Sequence, residues 1–125
     1  MKNYITDKKS KTMFAEKYRI SEQIEFVNQE LNDRVEAYLK LIEDGNITKA
    51  EANRRHFCLL TLLHFIDPIR TQIHGTAMQT SGDVLQELDR WASAVQSSAT
   101  AENRFYVAKK RERIFSLKEF VKFKG

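Results

Sequence analysis

Two consecutive helical segments joined by a short turn constrain the fold of this sequence more than any other feature. Gly45 stands where a left-handed helix C-cap is expected, and Thr48 and Glu51 have the spacing of a capping box, which marks the start of a new helix. A turn as short as residues 44–47 makes the two helices antiparallel neighbours. The sequence therefore predicts a helical hairpin over residues 20–66. Its first helix is indicated by apolar residues that recur every three or four positions, the period of one helix face: Ile20, Ile24, Val27, Leu31, Val35, Tyr38 and Ile42.

The composition favours helices in the rest of the chain as well. One proline and four glycines in 125 residues leave few interruptions of the backbone. The second helix is apolar almost all round at positions 57–63, which is typical of a helix at the centre of a bundle or beneath a partner. We therefore expect an all-α, four- to five-helix bundle built on this N-terminal antiparallel hairpin. It is expected to be one domain, with a basic N-terminal arm over 1–19 and the remaining helices and a basic C-terminal segment over 67–125.

Local signals predict how the chain continues after the hairpin. Asp67 and Pro68 have the character of an N-cap and a first helical residue, which predicts a short helix to about position 74. The glycine-bounded stretch 75–82 is expected to be a loop. A third long helix is expected to begin at Asp83.

Two further signals divide the C-terminal region. The third helix is expected to end at 97–98, and Thr100 is expected to cap a fourth helix over 101–115. Ser116 has capping-box spacing to the glutamate three residues later. Residues 117–123 are therefore expected to form either a separate short helix or an extended arm.

The charge of the chain is segregated along its length. Residues 1–19 carry six basic and two acidic side chains, residues 20–100 carry seven and twelve, and residues 101–125 carry eight and three. The total of +4 therefore hides an acidic body between two basic ends. A local field of this kind attracts nucleic acid or an acidic partner.

The first helix carries an acidic stripe beside its apolar one. Phe26 falls at the edge of the acidic side, where a large apolar group gains little unless something covers it. This pattern is interpreted as a partner surface for a basic groove, and the alternative is an ordinary solvated helix face. The predicted partner-binding residues are Glu25, Phe26, Asp33 and Glu36.

Basic and aromatic residues alternate near the C-terminus, a combination that nucleic-acid binders use to neutralise phosphates and stack on bases. Because Ala101, Phe105, Ala108 and Phe115 share one helix stripe, we expect these four residues to pack in the core. The basic residues around them contact nucleic acid or an acidic partner, or pair with the acidic first helix of the same chain. The predicted contact residues are Arg104, Lys109, Lys110, Arg111 and Arg113.

No pattern in the sequence predicts a catalytic, cofactor or metal site. His56 and Cys58 point about 200° apart on one helix, so with His64 they do not converge as metal ligands. Cys58 among leucines is expected to be a core residue, and His64 a bundle histidine with one hydrogen bond. Glu87 and Asp89 do not share a face for acid–base work. We therefore expect no enzyme activity, no cofactor and no metal.

The sequence also bears on where the protein works. A single cysteine allows no intramolecular disulfide, and the N-terminus has no apolar signal region. The longest apolar stretch, residues 57–66, is about half as long as a membrane-spanning helix requires. We therefore expect a cytoplasmic protein with no membrane partner.

Residues 34–55 form an apolar helix that ends in a glycine turn, followed by a basic helix start containing Glu51 and Ala52. This segment resembles small helical accessory proteins encoded by bacteriophages and mobile elements. The resemblance implies a protein that binds, and inhibits or adapts, a larger host or phage machine that handles nucleic acid. It transfers no catalytic residue.

Three functions follow as expectations. The first is a non-enzymatic helical binding protein, an accessory factor that acts through protein–protein contact. The second is a nucleic-acid-binding protein that uses the basic N- and C-terminal segments. The third is a structural or assembly component that forms a homo-oligomer through the apolar second helix.

Overall fold

The computed structural model describes residues 19–73 and 75–124, and within them the fold is all-α, as predicted. Each helix packs against the next along the chain, and the second also contacts the fourth. The predicted basic arm lies outside the described residues up to position 18. The elements are α1 (Ile20–Glu43), α2 (Lys49–Ile66), a 3₁₀ turn (Gly75–Ala77), α3 (Ser81–Ser97) and α4 (Arg104–Lys124).

The predicted hairpin of α1 and α2 is confirmed. Gly45 has a φ of 77°, and the backbone N–H groups of Gly45 and Asn46 donate to the carbonyls of Ile42 and Leu41, the bonding pattern of a Schellman C-cap. The Thr48 hydroxyl then accepts a 3.1 Å hydrogen bond from the Glu51 backbone N–H and so caps α2. These local bonds reverse the chain within five residues.

The core forms around α2. Its buried residues face α1 on one side and α3 and α4 on the other, which explains why its sequence lacks a polar face. Because these apolar side chains are used within the bundle, α2 offers little surface for the predicted oligomerisation. The buried apolar residues of α2 are Ala52, Cys58, Leu59, Leu62 and Leu63.

The buried side of α1 differs from the predicted stripe at two positions. Val27 and Leu31 are buried as expected, but Val35 is 49% exposed and Ile20 is 56% exposed. Ile20 is the first residue of α1, and the buried face of the helix also includes Gln23, which donates a 3.2 Å hydrogen bond to the Ser116 hydroxyl of α4. The buried face of α1 is therefore turned away from Val35.

The prediction of a short helix that reaches position 74 is wrong. Asp67 accepts from the backbone N–H groups of Arg70 and Thr71, but residues 71–73 are irregular and the 3₁₀ turn follows only at Gly75. The carbonyl of Thr71 instead accepts a 2.8 Å hydrogen bond from Nδ1 of His64. This bond confirms His64 as a histidine of the bundle with a hydrogen bond.

α3 begins two residues earlier than predicted. The Thr80 hydroxyl accepts a 3.1 Å hydrogen bond from the Asp83 backbone N–H, so Thr80 is the N-cap and Asp83 lies within the first turn. The loop before it is fastened to α2, because Thr61 accepts from the Gln79 backbone N–H at 3.1 Å. The predicted end of α3 at 97–98 is confirmed.

α4 is one continuous helix, so the predicted break at position 116 is wrong. Ser116 is buried in the middle of α4, where its hydroxyl accepts from Gln23 instead of capping a new helix. Residues 101–103 are a turn, and Thr100 and Asn103 exchange backbone-to-side-chain hydrogen bonds of 2.6 and 3.2 Å before the helix starts at Arg104.

The core stripe predicted for α4 is also wrong. Ala101, Phe105, Ala108 and Phe115 are exposed, and the two rings keep 75% and 43% of their surface. The positions that stay aligned over the whole length of α4 carry smaller apolar residues, and these fill the core. The buried apolar residues of α4 are Val107, Ile114, Leu117 and Val121.

None of the helices in the described part of the chain combines the length and the apolar character needed to cross a membrane.

Candidate binding surfaces

The first two turns of α4 present aromatic rings and cations to solvent. Phe105 and Tyr106 keep 75% and 67% of their surface exposed. The Arg104 guanidinium lies 5.3 Å from the centre of the Phe105 ring, and the Lys110 ammonium lies 5.9 Å from the centre of the Tyr106 ring. Lys109 projects between the two rings on the same helix. We call these five residues the α4 surface.

The remaining two predicted contact residues of α4 are bonded to neighbouring helices. Arg111 donates a 2.7 Å hydrogen bond to the side chain of Gln96 on α3. Arg113 donates a 3.0 Å hydrogen bond to the backbone carbonyl of Glu22 on α1, and its guanidinium lies 4.6 Å from the centre of the Phe26 ring. Arg104, Lys109 and Lys110 therefore lie in the first two turns of α4, whereas Arg111 and Arg113 form inter-helix contacts.

The charged C-terminal segment meets the acidic body at few points. Lys118 forms an ion pair with Asp89 on α3, and Arg113 donates a hydrogen bond to a backbone carbonyl of α1. Over residues 19–73 and 75–124, no ion pair involves Arg104, Lys109 or Lys110. The field of these three cations is therefore open to solvent.

On α1, the predicted partner-binding residues divide into two groups. Glu25, Asp33 and Glu36 are exposed. Phe26 instead packs inward on Trp91 of α3, with ring centres 4.9 Å apart and an angle of 21° between the ring planes. Phe26, which the sequence placed at the edge of the acidic side of α1, is thus covered by Trp91 within the bundle.

An apolar patch that the sequence analysis did not predict lies beside the acidic residues of α1. Val35 and Leu39, one helical turn apart, are 49% and 64% exposed. Glu36 lies between them in sequence and is also exposed. An apolar centre with an acidic rim is the usual anatomy of a protein-binding patch.

A groove of about 580 Å³ runs between α3 and α4. The Gln96–Arg111 pair closes one end, and the Asp89–Lys118 pair stands at the other. Its floor and walls are formed by Ala92, Ser93, Ser97, Ile114 and Phe115. No sequence pattern pointed to this groove because it depends on which faces of two helices meet.

An ionic cluster that no local sequence pattern predicted joins α1, α2 and α3. Arg34 on α1 donates to Glu30 at 2.6 Å and to Glu87 on α3 at 2.7 Å, and Arg90 donates to Glu87 at 3.0 Å. Arg90 also lies 3.6 Å from the carboxylate of Glu51 on α2. One sign of this cluster was present in the sequence: Glu87 is a carboxylate in the apolar stripe of α3. A carboxylate buried there requires a cation beside it.

The pKa values in this cluster reflect burial and ion pairing. Burial alone lowers the pKa of Arg34, but its bonds with Glu30 and Glu87 outweigh that effect and raise the pKa. Burial raises the pKa of Tyr38, and burial together with the nearby Arg34 lowers the pKa of His56. Because each carboxylate of the cluster is paired with arginine, the arrangement stabilises the contact of three helices and leaves no free base for chemistry.

Cys58 is fully buried, and its Sγ lies 3.7 Å from the Asp83 carbonyl oxygen. Burial raises the pKa of its thiol to about 11, so it is a packing residue and a poor nucleophile. Among the residues that the structure describes, His, Cys, Asp and Glu form no group of three that could hold a metal ion.

No protein-family model matches this chain, and no curated protein or solved structure matches it either.

Proposed function

We propose that this chain is a non-enzymatic binding protein that binds nucleic acid through the α4 surface. The observation that carries the proposal is the exposure of Phe105 and Tyr106 with a cation against each ring. In the monomer these rings bury little area, so they contribute little to folding. Their position is explained if they contact a ligand.

The chemistry of this surface suits nucleic acid. Arg104, Lys109 and Lys110 can displace counterions from phosphates, because no carboxylate pairs with them in the described residues. Exposed aromatic rings supply stacking that is worth about 1–3 kcal/mol per base. Nucleic acid offers both kinds of partner at once, phosphates for the cations and bases for the rings.

The test is a fluorescence-anisotropy titration of labelled DNA and RNA at about 50 and 200 mM salt, the range in which multi-phosphate binding falls steeply. The variant Lys109→Gln/Lys110→Gln is compared with Lys40→Gln/Lys49→Gln, which makes the same change of charge at exposed positions of the hairpin. Loss of two phosphate contacts should weaken binding at low salt and reduce the salt slope for a single strand by about 1.4.

A second variant tests the rings. Phe105→Leu/Tyr106→Leu keeps the helix and the charge but removes both aromatic faces, so it should weaken binding to single strands without changing the salt slope. Equal affinities of the wild type and both α4 variants, or no binding at low salt, would contradict the proposal.

A second candidate function is the protein-binding accessory factor that the resemblance implies. The exposed pair Val35 and Leu39 beside Glu36 supports it, because this patch could contact a basic surface of a larger nucleic-acid-handling machine. Glu25 and Asp33 lie exposed on the same helix and extend the acidic area. A specific partner should bind the wild type at fixed stoichiometry. The variant Glu36→Lys/Leu39→Ser should lose this binding, whereas the variant Lys109→Gln/Lys110→Gln should retain it.

A further inference from the structure

Two exposed surfaces of this molecule are chemically complementary to each other. The α4 surface consists of exposed aromatic rings with cations beside them. On α1, the apolar side chains of Val35 and Leu39 are exposed, and Glu36 and Glu43 border Leu39 at spacings of three and four residues. Both glutamates are exposed, and Lys40 lies further round the helix than either of them. We call Val35, Glu36, Leu39 and Glu43 the α1 surface.

The charges of both surfaces lack ionic partners within the molecule. Over residues 19–73 and 75–124, neither Glu36 nor Glu43 forms an ion pair, and the three cations of the α4 surface form none either. Opposite charges that face each other across an interface steer two molecules together and fix their orientation. The two surfaces therefore match in charge as well as in apolar character.

The two surfaces do not meet within one molecule. α4 contacts the first two turns of α1, through the hydrogen bond between Gln23 and Ser116 and through the Phe26 ring. Val35 lies about 13 Å further along α1 than Phe26. Because Val35 and Leu39 keep 49% and 64% of their surface exposed, and the rings of the α4 surface stay exposed too, both surfaces are open to a second molecule.

We infer that the α1 surface of one copy of this chain binds the α4 surface of a second copy. The Phe105 and Tyr106 rings then cover the apolar pair of α1, and the cations beside them face Glu36 and Glu43. This contact uses neither the buried apolar face of α2 nor any property of a nucleic acid, so it stands independently of the proposed function. A nucleic acid and a second copy would compete for the α4 surface.

The contact joins two different surfaces, so a pair of copies either closes by making it twice or leaves one surface of each kind free for further copies. Each surface is small, which is typical of a weak and transient association. Sedimentation equilibrium is therefore measured from about 10 μM to about 1 mM protein at about 50 mM salt. The average mass should rise above the 14.6 kDa of the monomer with concentration, and the rise should be smaller in about 1 M salt, which screens the charges.

Reversal of the charges of each surface in turn tests the pairing. The variants Glu36→Lys/Glu43→Lys and Lys109→Glu/Lys110→Glu should each be monomeric, because each then presents two surfaces of like charge. An equimolar mixture of the two should associate again, because every contact between the different variants joins opposite charges. The control Glu25→Lys/Asp33→Lys makes the same change of charge at exposed positions of α1 outside the α1 surface, and it should associate as the wild type does.

A second pair of variants tests the apolar part of the contact without a change of charge. Val35→Gln/Leu39→Gln should be monomeric, whereas Ile69→Gln/Phe123→Gln, which removes two apolar side chains exposed elsewhere, should associate as the wild type does. Far-ultraviolet circular dichroism checks that each variant keeps its helices.

Three outcomes would overturn the inference. The first is a wild type that stays monomeric at every concentration. The second is association that persists in either charge-reversal variant alone, which would show that another face joins the copies. The third is a mixture of these variants that stays monomeric while the wild type associates. None of them affects the nucleic-acid titration, which tests the proposed function separately.

Discussion

Arg34 on α1 donates a 2.7 Å hydrogen bond to the carboxylate of Glu87 on α3, and only 12% and 2% of these side chains is exposed. The pair joins two helices that are separated in the chain by the whole of α2. A charge buried as deeply as that of Glu87 must be paired, because its desolvation costs several kcal/mol. The ion pair therefore fixes how α1 and α3 approach each other.

Removal of one partner of this pair should be strongly destabilising. Arg34→Met leaves the Glu87 carboxylate buried with only Arg90 against it, and we expect the free energy of unfolding to fall by about 3 kcal/mol. Arg70→Met makes the same change in an exposed pair with Asp67 and should cost at most about 1 kcal/mol. Urea unfolding of both variants gives the comparison.

The double variant Arg34→Met/Glu87→Met should recover much of the loss, because it leaves no unpaired buried charge. A double variant that is less stable than Arg34→Met would show that Glu87 is stabilised by its other contacts alone.

The two glycines at helix ends should respond to alanine in opposite directions. Gly45→Ala forces a Cβ into a left-handed conformation at φ 77°, although no atom lies within 4 Å, so we expect a loss of about 1 kcal/mol. Gly82 lies in the first turn of α3 at negative φ, and its new Cβ would meet only Thr80 Oγ at 3.8 Å. Gly82→Ala should therefore stabilise the protein by up to about 1 kcal/mol in thermal unfolding. A loss of stability in Gly82→Ala would contradict the expected helical backbone there.

The sequence was sufficient to predict the hairpin because its boundaries depend on neighbouring residues. Gly45 supplies a backbone conformation, and Thr48 bonds a backbone group three residues away. Such signals act before any tertiary contact forms. The same reasoning failed at Ser116, whose position resembles an N-cap but whose partner, Gln23, lies 93 residues earlier in the chain.

The candidate surfaces could be predicted only in part. Arg104, Lys109 and Lys110 were predicted as surface residues from their charge and their type. Phe105 was predicted to lie in the core because its ring is large and apolar, but it is exposed. A long helix buries the positions that stay on one side over its full length. The predicted stripe that contains Phe105 does not stay on one side over the full length of α4, so it is not the buried face. The groove beside Phe115 depends on the packing of α3 against α4, which no local pattern encodes.

Phe26 should act in folding rather than in partner binding. Its ring stacks on Trp91, which is the single tryptophan of the chain, so the near-ultraviolet circular dichroism reports on this contact. Phe26→Leu should alter that signal and lower the free energy of unfolding by about 1 kcal/mol. Glu25→Gln, at the adjacent exposed position, should change neither. An unchanged spectrum in Phe26→Leu would contradict a role in folding and leave Phe26 as a candidate partner-binding residue.

Cys58 should be unreactive in the folded protein. It has no exposed surface, and burial raises the pKa of its thiol to about 11, so little thiolate exists at pH 8. Labelling with Ellman's reagent should be slow in buffer and complete rapidly in urea. Rapid stoichiometric labelling of the native protein would mean that α2 opens toward solvent.

Glu51 should make the stability of the protein depend on pH in the acid range. The hydrogen bond from Arg54, aided by Arg55, lowers the pKa of Glu51 from 4.5 to about 2 in the folded state. Because the folded protein holds this proton less tightly than the unfolded chain, the carboxylate stabilises the fold fully above about pH 4.5, and the contribution is lost as the pH falls toward 2. The variant Glu51→Gln should thus be less stable than the wild type at neutral pH, and urea unfolding at a series of pH values should show this difference shrinking below pH 4.5. Arg54→Met should move the loss to higher pH by removing the main cause of the shift, whereas a difference that persists unchanged to pH 2 would mean that Glu51 stabilises α2 without its charge.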